Sequence, residues 1–167
     1  MSDIPSQSPG LSHVGADGRA VMVDVGGKAV SRRTARARAE VRLVPAAAAL
    51  FDGTDLQSKK GPVFHTATLA GIMAAKRTHE LIPLCHPLPL DDCRVDIRLE
   101  DEGRVIIETL ASAEARTGVE MEALTAASVA ALTVYDMVKA VGLGTVIGPV
   151  TVVEKTGGKS DYRSEQA

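Results

Sequence analysis

Polar and apolar positions separate most sharply between residues 117 and 141, TGVEMEALTAASVAALTVYDMVKAV. At 100° per residue, Glu122, Thr125, Ser128, Thr133, Asp136 and Lys139 fall within an arc of about 140° of the helical wheel. The opposite side carries Ala123, Ala127, Ala130, Val134, Met137, Val138 and Val141, with no charge among them. Thr117-Gly118 breaks the chain ahead of the run, acidic residues in its first turn suit the helix dipole, and Gly142 and Gly144 end it. The pattern predicts a helix with one buried face. Its polar stripe is short of Lys and Glu, holds small hydroxyls and is interrupted by Val129 and Leu132, which predicts half-burial. Charges in such a stripe need partners or a ligand.

Periodicity elsewhere supplies the rest of the fold. Residues 20–25, AVMVDV, alternate as a short strand that Gly26-Gly27-Lys28 turns. Residues 34–44 alternate small or apolar with charged side chains, the mark of a half-exposed strand. Pro45 opens a short alanine-rich helix, with Gly53 as its stop. A second helix is expected over 65–80, with Leu69, Ala70, Ile72 and Met73 inward and Lys76 and Arg77 outward. Residues 81–90, LIPLCHPLPL, hold three prolines that forbid both helix and central strand, so they form a rigid extended connection. Val95, Ile97 and Leu99 alternate as a strand, Asp101-Glu102-Gly103 turns it, and residues 104–115 return beside it. A last strand covers 145–155.

Taken from residue 34 with the short helix set aside, the order is β-α-β-β-α-β, that of an α+β ferredoxin-like plait. Helices cover one face of its antiparallel sheet. The other face is exposed unless a second subunit or the N-terminal strand covers it. Residues 1–12 read as a flexible arm, 13–160 as one domain and 161–167 as a polar tail.

Composition narrows the possible partners. A chain of 167 residues with 45% hydrophobic content can bury one substantial core. A formal net charge of −2 provides no global field for nucleic acid or membrane. Aromatic content of 2% removes the stacking platforms used by single-strand binders. The polar, proline-broken start has no signal-peptide pattern, so the cytoplasm is the expected location. Cys85 and Cys93 make neither a disulfide framework nor a metal pair, and adjacent Cys85 and His86 cannot easily turn to one ion, so no metal site is expected.

Candidate chemistry is thin residue by residue. His86, held between prolines, has the fixed position that proton transfer requires, although a structural histidine is the more common case. Asp136 and Lys139 lie one turn apart and could be a plain ion pair. The GGKS at 157–160 lacks the first glycine and the following helix of a Walker loop, yet a basic glycine-rich strand exit can still wrap phosphates. Lys59-Lys60-Gly61 is a basic turn whose glycine allows close approach.

LIPLCHPL, TGVEMEALTAASVAALTVYDMVKA and KTGGKS, in this order and spacing, resemble the molybdenum cofactor biosynthesis protein C family, the cyclic pyranopterin monophosphate synthases. The resemblance starts near Leu11, includes MVDVGGK and runs to Ser160. It implies a ferredoxin-like protomer, a homohexamer built as a trimer of dimers, and a site between protomers. The implied substrate is 3′,8-cyclo-7,8-dihydro-GTP, made by a radical S-adenosylmethionine GTP cyclase. No cofactor is implied beyond magnesium that could accompany the triphosphate.

By similarity of motif, Asp136, Lys60 and Lys139 fall on catalytic positions. Lys28, Lys155, Lys159, Leu84, Cys85, His86, Glu120, Met121 and Glu122 fall on substrate-binding ones. The chain departs from the family where Lys60-Gly61-Pro62 replaces Lys-Gly-Asp, where Lys59 adjoins Lys60, and where Val138 replaces a common cysteine. A regulatory module that binds a nucleotide without turnover, and an oligomeric scaffold, remain as other classes.

Overall fold

The computed structural model describes residues 18–165. The 1–12 arm therefore lies outside the described residues. The main sheet contains β1 (Ser31–Arg42), β4 (Asp92–Glu100), β5 (Arg104–Ala115), β6 (Val146–Thr156) and β7 (Tyr162–Arg163), in the order β4-β5-β1-β6-β7 and antiparallel throughout. Helices α2 (Val63–Ala75) and α4 (Glu120–Val138) pack together over one face. With α1 (Pro45–Ala48), α3 (Thr78–Leu81) and the small β2–β3 hairpin (Gln57–Ser58, Gly61–Pro62) set aside, this is the ferredoxin-like plait. The segment expected as a polar tail begins by adding β7 to the edge of β6.

Small side chains set the distance between the layers. Ala35, Ala37, Ala39 and Val41 of β1 are buried and meet Ala123, Ala126, Ala127, Ala130 and Val134 of α4 in one core. Thr109 of β5, itself buried, donates its hydroxyl to the Ala123 carbonyl at 2.9 Å and ties sheet to helix. The buried side of α4 is the expected one from Ala123 to Val138. Val141, beyond the helix in a 3-10 turn (Lys139–Val141), is exposed instead.

The second helix departs further from expectation. It stops at Ala75, and α3 restarts after Lys76-Arg77. Its buried positions are Val63, Phe64, Ala67, Gly71, Ala74 and Ala75, whereas Leu69 and Met73, expected inward, are exposed. The reason is steric. A Cβ on Gly71 would lie 2.9 Å from the Ala126 carbonyl oxygen and 3.2 Å from Val95 Cγ2, so the crossing with α4 at this position leaves no room for a side chain. Size, rather than hydrophobicity, selected this face.

Residues 20–25 form no strand beyond a bridge at Ala20. They run to a turn in which the Gly26 amide donates to Asp24 Oδ1 at 2.8 Å and the Lys28 amide donates to the Val25 carbonyl at 3.0 Å. Val23 and Val25 line a cavity wall rather than joining a sheet edge. The far face of the sheet is covered by charge. Arg98 bridges Glu108 and Glu100, Arg104 bridges Glu100 and Glu40, and Arg38 pairs with Glu40. Ile106, paired in register with Glu40 and Arg98, is fully buried beneath these long side chains.

Candidate active site

The residues singled out by sequence collect at the two ends of α4. At its C-terminal end, the two-residue turn of the β2–β3 hairpin carries Lys60. Ser58 Oγ accepts the Lys60 amide at 3.1 Å and donates to the Gly61 carbonyl at 3.0 Å. Lys60 Nζ then reaches Asp136 Oδ2 at 2.6 Å and the Asp136 carbonyl at 3.3 Å. Lys139 Nζ meets the other carboxylate oxygen at 2.7 Å. Lys60, rather than its neighbour Lys59, is thus the lysine brought to the aspartate.

The Lys60, Asp136 and Lys139 side chains are about half exposed, in keeping with the half-burial expected of the stripe. The other end goes beyond that expectation, since Glu122 and Thr125 are buried outright. Lys139 first, and Lys60 second, hold the Asp136 carboxyl down at about 2. The same bond raises the Lys139 ammonium above its usual value. The cluster sets one carboxylate between two lysines.

The N-terminal end of α4 faces a cavity of about 650 Å³. The proline-rich connection supplies Leu84, Cys85 and His86 to its wall, and the helix supplies Glu120, Met121 and Glu122. Lys28 enters from the turn after residue 25 and Lys159 from the glycine-rich exit of β6. Glu122 is only 4% exposed, and burial, with Glu120 nearby, pushes its carboxyl up to about 6. Burial and the Glu122 charge also raise the Cys85 thiol.

A smaller cavity of about 200 Å³ adjoins this one, and Lys28, Gly118, Glu120 and Lys159 line both. Lys155 lines the smaller cavity and pairs with Glu120 at 3.1 Å. Gly157 makes the sharp exit possible: its φ is +79°, and a Cβ would collide with the Arg32 carbonyl. Arg33 and Arg116 also line this cavity. Neither was singled out by sequence, although Arg116 directly precedes Thr117-Gly118, where a basic side chain beside a glycine turn is a usable signal.

The residues therefore form two assemblies rather than one. Lys60, Asp136 and Lys139 are together. Lys28, Leu84, Cys85, His86, Glu120, Met121, Glu122, Lys155 and Lys159 are together around the joined cavities. Glu122 and Asp136 are fourteen residues apart on one unbroken helix, which is about 21 Å along its axis. A broader cavity of about 800 Å³ on the far face of the sheet, lined by Arg38, Thr151, Tyr162 and Arg163 among others, holds none of these residues. Size alone does not mark the site. Among the described residues, no three His, Cys, Asp or Glu side chains converge as a metal site.

A plait with a carboxylate–lysine cluster at one end of a helix, and a basic cavity walled by glutamates at the other, has the groups to act on a small anion rich in nitrogen donors. The chain belongs to the MoaC family, which matches residues 22–158. It is 51% identical over 161 residues to a protein of Xanthomonas oryzae pv. oryzae named cyclic pyranopterin monophosphate synthase, covering 96% of this chain and 98% of that one. A protein of the same name from Xanthomonas axonopodis pv. citri is 50% identical over the same coverage.

Proposed function

We propose that this chain is a cyclic pyranopterin monophosphate synthase, converting 3′,8-cyclo-7,8-dihydro-GTP to cyclic pyranopterin monophosphate and diphosphate. The observation that carries the mechanism is the division of labour along α4. The joined cavities recognise, and the Lys60–Asp136–Lys139 cluster reacts. Lys28, Lys155 and Lys159, with Arg33 and Arg116, bind the triphosphate end through their charge. Glu120 and Glu122 accept from the N–H groups of the guanine-derived ring. His86 and Cys85 hold the ring from the proline-rich wall.

In the phosphate step a sugar hydroxyl attacks the α-phosphorus, its proton passes to a base, and diphosphate departs. Asp136 is ionised and can accept a proton, while the lysines beside it can donate one or stabilise an anion. Magnesium, when it accompanies the triphosphate, adds charge neutralisation at the phosphates. The protein works in the cytoplasm, downstream of the radical S-adenosylmethionine enzyme that makes its substrate. Incubation with that substrate should release diphosphate and form the cyclic monophosphate. Tight binding without turnover would instead favour a regulatory module.

A substrate of this size cannot engage both ends of one α4 at once. We therefore place the working site between antiparallel copies in a dimer of the expected hexamer, Glu122 from one copy and Asp136 from the other. Refolding Glu122→Ala and Asp136→Ala protomers together should restore about a quarter of the parent activity, because each mixed dimer keeps one intact site. No restoration, with subunit exchange verified by mass spectrometry, would end the shared-site reading.

A further inference from the structure

Helix α2 starts without a cap of its own. Pro62 occupies the N-cap position and offers no side-chain acceptor. The open amides are taken instead by a residue seven positions earlier. Asp55 Oδ1 accepts from the Phe64 amide at 2.7 Å, and Oδ2 accepts from the His65 amide at 3.1 Å. Oδ1 also accepts from the Leu56 amide at 2.6 Å, and the Val63 amide donates to the Leu56 carbonyl at 3.0 Å. Leu56 is fully buried. Asp55 is held in turn by Asp52, whose Oδ1 accepts the Asp55 and Thr54 amides, each at 2.9 Å.

One carboxylate thus clamps both legs of the 57–62 hairpin, the entering leg at Leu56 and the leaving leg at Phe64 and His65. The tip of that hairpin carries Lys60, and Ser58 pins the tip from within. A lysine has four rotatable bonds and loses its position if its backbone drifts. We propose that Asp55 is a positioning residue for Lys60, capping α2 from outside the helix so that the hairpin presents the Lys60 ammonium to Asp136. The proposal rests on the reading of Lys60 as a residue of the chemistry.

The test is a cycle of variants in the full-length protein, with diphosphate release from 3′,8-cyclo-7,8-dihydro-GTP measured over long incubations. Asp55→Ala should lower kcat about tenfold and leave KM within about twofold, since Asp55 lines neither of the joined cavities. Asp55→Asn keeps one acceptor oxygen and should retain at least about a third of the parent kcat. In a Lys60→Ala background, Asp55→Ala should cause no further loss, whereas a merely structural role would multiply the two losses. Ser58→Ala, at a half-buried position of the hairpin, follows the same rule and carries the test if Asp55→Ala does not fold. Parent-like kcat in Asp55→Ala, or an equal loss in both backgrounds, would overturn the proposal. A fully active Lys60→Ala would instead overturn the underlying role of Lys60, and that separate arm keeps the two failures distinct.

Discussion

The two ends of α4 present the same functional group in opposite settings. At the N-terminal end the Glu122 carboxyl is buried, beside another acid, and its proton affinity rises to about 6. At the C-terminal end the Asp136 carboxyl is half exposed between two lysines, and its proton affinity falls to about 2. Desolvation governs the first and neighbouring charge the second. One helix therefore holds a carboxyl that stays ionised at any working pH and another that titrates within reach of neutrality. The first suits the organisation of charge beside its two lysines. The second suits recognition, because N–H donors from a ligand can draw it into the ionised form.

The largest expected effect breaks the comparison at its exposed end. Asp136→Asn should reduce kcat by about 10²- to 10⁴-fold with KM changed little, the range for loss of a general acid or base. Its stability should stay close to that of the parent, since exposed ion pairs contribute little. A large KM increase with intact kcat would reverse the assignment of the two ends.

The buried end should reveal itself through pH. The folded-state proton affinity of Glu122 lies above its ordinary value of 4.5. The native protein therefore binds the extra proton, and the contribution of Glu122 to stability is most favourable below about 4.5 and declines as pH rises through about 6. The shift corresponds to about 2 kcal/mol. Glu122→Gln should match the parent near pH 4.5 and exceed it by roughly that amount at pH 8 in denaturant titrations. Equal stability differences at both pH values would show that Glu122 is not desolvated as described.

The smallest effect sharpens the boundary within the binding end. Lys155→Ala should raise KM about tenfold with kcat within about twofold, the signature of lost uniform binding. Lys155 pairs with Glu120 rather than Glu122, so the pH dependence assigned to Glu122 should persist in this variant. A kcat loss exceeding the KM change would move Lys155 into the chemistry.

What the sequence determined by itself is whatever local pattern controls. The alternation of Ala35, Ala37, Ala39 and Val41 with charged neighbours and the apolar side of α4 each force one backbone state and together outline the plait, whereas the prolines of 81–90, expected to keep that segment extended, leave Leu81 in α3 and a turn at 82–85. The motif residues were also legible as a set, because their spacing carries the resemblance to the MoaC family. Tertiary structure decided the rest. Leu69 and Met73 face outward because the close crossing at Gly71 turns that side of α2 toward α4, a steric requirement that no hydrophobic pattern encodes. Residues 20–25 alternate like a strand yet line a cavity, because alternation describes a face and not what the face meets. The cap on α2 comes from Asp55 across a hairpin, beyond the reach of any rule about neighbours in sequence. The sorting of the motif residues into two assemblies follows from the straightness of α4, which holds Glu122 and Asp136 apart although both belong to one stripe.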